Sequence, residues 1–336
     1  MKKGPAMATM SQKDRFLRTL QGDGADRFPF FDLEPAEDTL ERWCHEGLPP
    51  GKSFTDYFAL ETHHSTGLML RSYPFFQKAS DLLHDPSSFA RHYDPDHPSR
   101  YAKDFVERCK RLQHKGRVIY VDASGGGLLQ MLGVGDWESM VFAFFALLEK
   151  PRMVEELVNR TTDFYCDCLE RVLSKVSVDY ASFYEPIASN TGPVISPAMF
   201  KRFAIPGYKK VISLLDKFNV PLRILCTTGG DLSSLLPSLI EIGINGLWIS
   251  NIRSTGMEYA ALRRTFGSDI ALIGGIDSVS LSVDETAVRR VIEKTVPPLL
   301  ESGHYLPCLD DRPRSNIPFA HYSLYRQVLS EIAQKG

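Results

Sequence analysis

The chain has 336 residues, 43% hydrophobic and 24% charged, the balance of a globular protein with a sizeable core. Lys+Arg 39 against Asp+Glu 41 leaves a net charge of -2, which excludes a dedicated nucleic-acid binder and an acidic disordered chain. The longest apolar stretch, residues 140–148, falls far short of the roughly 20 residues that cross a bilayer, so no membrane span is expected.

The opening residues contain no apolar signal-peptide core. Six cysteines without a C-x-x-C pair are too sparse for a disulfide scaffold, so the expected compartment is a reducing cytoplasm. Residues 1–10 read as a loose extension and 11–336 as one domain. Ser11 and Asp14 resemble a capping box before a helix with Phe16, Leu17 and Leu20 on one face. Residues 27–34 form a short apolar run ending in Asp32 and Glu34. Phe142, Phe144 and Phe145 read as packing, and His63-His64 as a surface loop.

From about residue 115 strands and helices alternate. Strands are expected at 118–122, 179–183, 222–226, 246–250, 270–273 and 305–309. Helices are expected at 151–175, from Ser196-Pro197 through 206–218, and at 232–242, 259–266, 284–302 and 319–335. Such alternation implies a parallel sheet with right-handed crossovers, and continuous apolar strands imply burial on both faces. With no Gly-rich dinucleotide fingerprint after the first strand, the expected fold is α/β, a single (β/α)8 TIM barrel with additional N-terminal helices.

In such a barrel the chemistry lies at the carboxyl ends of the strands. The polar residues that follow the strands are Glu34, Asp122, Glu185, Cys226, Asp277, Asp310 and Asp311, with Tyr184 and His304 beside them. Acids and a thiol together suit metal binding or acid–base work. A single acid at a βα junction also serves simply to cap the next helix, and a strand-end cysteine often only packs. Gly125–Gly127 is compatible with an anion site or a tight turn. Nucleotide-driven, zinc-peptidase and serine-hydrolase chemistries lack their motifs here.

Several segments, in order, resemble the uroporphyrinogen decarboxylase superfamily. They are Lys13-Asp-Arg-Phe-Leu17, Asp26-Arg-Phe-Pro29, Leu40-Glu-Arg-Trp43, Glu46-Gly-Leu-Pro49 and Tyr57-Phe58, then Gly192-Pro-Val-Ile-Ser-Pro197 with Phe200 and Phe203. Gly274-Gly-Ile-Asp277 and Gly303-His-Tyr-Leu-Pro307 with Asp310 complete the set. The resemblance is strongest to the methyltransferase-like, corrinoid-linked branch. It implies methyl transfer between a small methylated substrate and a corrinoid on a partner protein, with zinc as Lewis acid.

Under that implication Glu185, Cys226 and Asp311 are the expected zinc ligands. Glu185, Asp277 and Asp310 are the expected catalytic residues, and Glu34, Tyr184, His304 and Arg312 the expected substrate contacts. The site positions depart from the family: Cys226 stands where zinc-dependent members carry histidine, Thr228 where they carry cysteine, and Ser278 where a basic residue is usual. The N-terminal arginine-rich stretch of the decarboxylases has no counterpart. Two alternatives therefore stand beside methyl transfer. One is a decarboxylase of a tetrapyrrole or other polycarboxylate, with Arg71, Arg253 and Arg312 as the available loop cations; the other is a catalytically silent ligand-binding relative. A homodimer is compatible with all three.

Overall fold

The computed structural model describes residues 10–68, 81, 83–189, 191–228, 230–252 and 256–334, with the side chain of Thr228 left aside. Most of the expected N-terminal extension, Arg71 and Arg253 lie outside the described residues. Seven strands form the parallel framework: β1 (His63–Ser65), β2 (Val118–Asp122), β3 (Tyr180–Tyr184), β4 (Leu222–Thr228), β5 (Gly246–Ser250), β6 (Ala271–Ile276) and β7 (Tyr305–Leu309). The principal helices are α1 (Gln12–Gln21), α2 (Glu37–Glu46), α3 (Phe105–His114), α4 (Trp137–Glu149), α5 (Pro151–Leu173), α6 (Ile205–Lys217), α7 (Leu236–Glu241), α8 (Tyr259–Phe266), α9 (Glu285–Glu301) and α10 (Phe319–Ala333). The α/β class is as expected. The eight-stranded barrel is corrected to seven such strands among the described residues. His63-His64, expected in a surface loop, opens β1 instead.

Two compact units make up the chain, each from discontinuous segments. The larger comprises residues 64–111 and 119–270; the smaller takes the chain up to His63, residues 112–118 and everything from Ala271 onward. In the larger unit the strand order is β1-β2-β3-β4-β5, with β2 to β5 parallel. Residues on one face of these strands (Ile119, Val121, Ala181, Phe183, Leu225, Leu247 and Ile249) are wholly buried. Over α5, Leu157, Phe164, Tyr165, Cys168, Leu169 and Val172 recur at helical spacing and are buried too.

Ser196 caps the turn Pro197–Met199 by accepting from the Met199 N–H at 3.2 Å. Before α6 the chain makes one π turn, Phe200–Ala204. Pro206 has no N–H to give to an α-helical ladder, and the wider turn lets the helix resume beyond it. Helix α4, absent from the expected elements, starts at a capping box between Asp136 and Ser139. Phe142 and Phe145, read as packing, are instead exposed, as are Trp137 and Leu148 on the same helix.

The smaller unit contains β6 paired in parallel with β7, in the register Leu272↔Tyr305 to Ile276↔Leu309. Its polar centre is Asp32. This carboxylate is completely buried and accepts from Leu309 N (2.8 Å), Tyr322 Oη (2.9 Å), Tyr325 Oη (3.1 Å) and Arg326 Nη1 (2.9 Å). A backbone amide of β7, two tyrosines and the arginine of α10 therefore converge on one acid from the N-terminal segment. Burial opposes the charge on Arg326, and the Asp32 carboxylate beside it more than restores it. A second cluster uses the opening motif residues: Arg15 clamps Asp26 through two hydrogen bonds at 2.7 and 2.8 Å and reaches Glu61 at 2.8 Å, where Arg27 also pairs.

Removing one partner of a buried ion pair leaves the other charge without compensation, a loss of about 3–5 kcal/mol. Asp32→Asn should lower stability by that order in urea unfolding, and Arg326→Met in the same chain should recover part of it. A loss under about 1 kcal/mol for Asp32→Asn would show that the hub is not what holds α10 to β7.

Candidate functional site

The parallel register aligns one strand face across the larger unit. Tyr184 is level with Cys226 and Cys226 with Trp248, while Asp122 is level with Ser182. Side chains alternate along each strand, so Tyr120, Asp122, Ser182, Tyr184, Cys226, Trp248 and Ser250 share the face opposite the buried one. All seven are incompletely covered, and Tyr184, at 50% exposure, is the most open of them. Cys226 Sγ is 3.5 Å from Ser182 Oγ, and the Tyr120 and Tyr180 rings stack at 5.1 Å. Burial pushes the Cys226 thiol up to about 11, so it keeps its proton at neutral pH.

Short hydrogen bonds tie the strand ends together. Asp122 Oδ1 accepts from Ser124 N at 2.9 Å, and Ser124 Oγ accepts from Tyr184 N at 3.0 Å. Tyr165 Oη donates to the Asp122 carbonyl at 2.8 Å. Thus the polar row has a fixed edge at β2 and β3.

Glu185, one residue beyond Tyr184, turns the other way and is 1% exposed. Its Oε2 accepts from Leu128 N at 2.5 Å and Tyr208 Oη at 3.0 Å, and its Oε1 from Leu129 N at 3.2 Å. The carboxylate thereby satisfies the free amides that open the turn Leu128–Met131. Gly127 makes this possible: a Cβ there would stand 2.5 Å from Glu185 Oε2. The glycine run therefore admits an internal acid rather than an external anion. Burial raises the Glu185 carboxyl to about 7, against the pull of the two amides and Tyr208.

The remaining expected site residues lie in the smaller unit. Asp277 Oδ2 accepts from Ser280 Oγ at 2.6 Å, and its Oδ1 from Val279 N at 3.2 Å. Asp310 Oδ1 accepts from Ser278 N at 2.9 Å. Both acids thus hold the turn after β6. Asp311 accepts from Arg312 N at 2.7 Å and from Arg314 Nη2 at 3.0 Å, so Arg314 supplies the counter-charge while the Arg312 side chain is exposed. Glu34 is exposed; Asp32, two residues earlier, is the buried acid of that run. His304 precedes β7, at its amino end, and its Nδ1 is 3.1 Å from the Leu20 carbonyl. There it fills the space over Gly22, whose φ of 77° closes α1 and whose missing Cβ would stand 2.5 Å from His304 Nε2.

Zinc asks for ligands with a free lone pair and for at least three converging donors. Glu185 has given its oxygens to three hydrogen bonds. Among the described residues no three His, Cys, Asp or Glu side chains gather as metal ligands. The set Glu185, Cys226 and Asp311 does not fit zinc. Sequence reasoning missed Ser182, Trp248 and Ser250 on the polar row, although each stands at alternate spacing within an expected strand. It also missed Tyr208, which only the fold brings to Glu185.

A carboxyl with a raised folded pKa binds more protons folded than unfolded, so it stabilises the fold below its unfolded pKa of 4.5 and loses that contribution as pH rises toward about 7. The loss is on the order of 3 kcal/mol. In urea unfolding between pH 5 and 8, Glu185→Gln should be less stable at pH 5, because a backbone N–H meets an amide NH2 group. Its profile should also fall less steeply than that of the unsubstituted chain. Parallel profiles would remove Glu185 as the titrating group.

With this geometry in hand, comparisons with known proteins agree on the scaffold. Residues 95–306, well over half of the chain, match the family described as uroporphyrinogen decarboxylase (URO-D). A methyltransferase from Methanosarcina mazei shares the fold, with a TM-score of 0.63 and 15% identity, over 96% of this chain and 99% of that one. An AP endonuclease, family 2, from Brucella melitensis reaches a TM-score of 0.37 at 8% identity, over 80% of this chain and 100% of that one, too low to carry an argument. No curated protein matches the chain. The described residues include no helix long and apolar enough to cross a membrane. The family match spans β2 to β6 and their helices and reaches into β7; this chain belongs to the uroporphyrinogen decarboxylase family.

Proposed function

We propose that this chain transfers a methyl group between a small, neutral methylated substrate and a corrinoid carried on a partner protein. One observation supports this reading most: the strand face of Asp122, Ser182, Tyr184, Cys226, Trp248 and Ser250 carries one carboxylate and no cation among its described residues. Decarboxylating a tetrapyrrole or another polycarboxylate calls for a cluster of cations, by preference bidentate arginines, to hold the substrate. A methyl ether, methylamine or methylthiol calls for none. The shared fold with a methyltransferase supports the same branch of the family.

On this reading Trp248 and Tyr184 form the apolar walls for the methyl-bearing group, and Asp122 accepts from a substrate hydroxyl or N–H. When the methyl group leaves, the heteroatom keeps the bonding electron pair and needs a proton donor. Ser182 and Tyr184 carry hydroxyls on that face, and Cys226 keeps its proton and shapes the floor. A bound corrinoid would supply the nucleophile for the methyl group. Glu185 acts from beneath, positioning the end of β3 without touching substrate.

Incubating the chain with reduced corrinoid and a panel of methyl ethers, methylamines and methylthiols should yield methylated corrinoid with at least one donor. Asp122→Asn should slow that transfer about tenfold or more, with its melting temperature little changed. Carbon dioxide release from polycarboxylates without methyl transfer would give the decarboxylase reading instead. Neither reaction with any substrate would leave a ligand-binding relative.

A further inference from the structure

We propose that the smaller unit holds a small-molecule site of its own, built for a planar aromatic compound bearing a neutral hydrogen-bond acceptor. A cavity of about 400 Å³ lies between the N-terminal segment and α10. Phe30, Tyr57 and Phe58 form its aromatic walls, and Ser323, Arg326 and Ser330 its polar side. The polar three recur at spacings of three and four residues, which sets them on one stripe of α10. The volume falls within the range of small-ligand pockets, and the cavity is open to solvent on one side.

Two buried donors mark where the acceptor belongs. Arg326 is 6% exposed, its guanidinium lies 5.2 Å over the Phe30 ring, and its Nη1 is spent on Asp32 at 2.9 Å. Its Nε is buried without a partner, and so is Ser323 Oγ, one turn earlier on the helix. Buried donors left unmade are costly; both residues line the cavity, and a small turn of either side chain brings its donor to a ligand's acceptor. Because Asp32 already neutralises Arg326, a second anion would meet that carboxylate at close range. A neutral carbonyl or amide oxygen completes both donors without that repulsion. The ring that carries it stacks among Phe30, Tyr57 and Phe58. None of these residues belongs to the polar row of the larger unit, so the proposal stands apart from methyl transfer.

Calorimetric titration of the full chain with benzamide, benzoate and benzylamine tests it, with Ser330→Trp to fill the cavity and Ser323→Ala to remove one donor. Benzamide should bind saturably at one site, and benzylamine, which offers no acceptor, should not. Ser330→Trp should weaken benzamide about tenfold or more, and Ser323→Ala by a smaller factor with the fold intact by circular dichroism. Should Ser330→Trp fail to fold, Ser323→Ala alone decides. Benzamide that fails to bind, or binds both variants as well as the unsubstituted chain, would overturn the site. Benzoate binding more tightly than benzamide would overturn the neutral-acceptor assignment.

Discussion

A carboxylate removed from water must be met by donors, and in the larger unit that requirement organises the strand ends around Glu185. Three donors reach it: two amides at the start of the turn after β2, and the hydroxyl of Tyr208 on α6. Only a glycine at position 127 leaves room for the approach. The acid thereby joins β3, the glycine loop and α6. Strand alternation does the rest: with Glu185 turned inward, Tyr184 is left on the open side. The acid that the sequence offers most plainly as a ligand thus underpins the strand ends, and the open side of the strands is left to Asp122, Ser182 and Tyr184.

The smaller unit solves the same problem with different residues. Asp32 gathers a β7 amide, two tyrosines and an arginine, and so couples the N-terminal segment to α10. Asp277 and Asp310 do this on a smaller scale, each holding the turn after β6 through its hydroxyl or amides. In both units the acids at strand ends are mostly engaged in holding the backbone of the next turn. This is the chemistry of capping.

Much of the framework is legible in the sequence. The strands at 118–122, 246–250 and 305–309 and the helix at 259–266 coincide with β2, β5, β7 and α8, because apolar runs bounded by turn residues have one good reading. Helix α4 was hidden: Trp137, Phe142, Phe145 and Leu148 leave its outer side apolar, so no polar stripe announces a surface helix. The site was less legible for a different reason. A rule that takes the polar residue after each strand finds Glu185 and Asp310 but cannot say whether backbone amides already claim them. His304 was misread as a neighbour of the chemistry because proximity in sequence to β7 does not tell which end of the strand it occupies. The role of Asp32 is hidden in the sequence, since its four donors come from positions almost 300 residues away.

The central claim is that Glu185 is a buried, hydrogen-bonded pivot and titrates accordingly. Carbon-13 NMR of the glutamate side-chain carboxyls across pH 4 to 9, with Glu185→Gln to assign its resonance, measures this directly. The account predicts a midpoint near 7 for that carboxyl. A midpoint near the ordinary value of 4.5 would contradict it, since burial would then not outweigh the pull of the Leu128 and Leu129 amides and Tyr208.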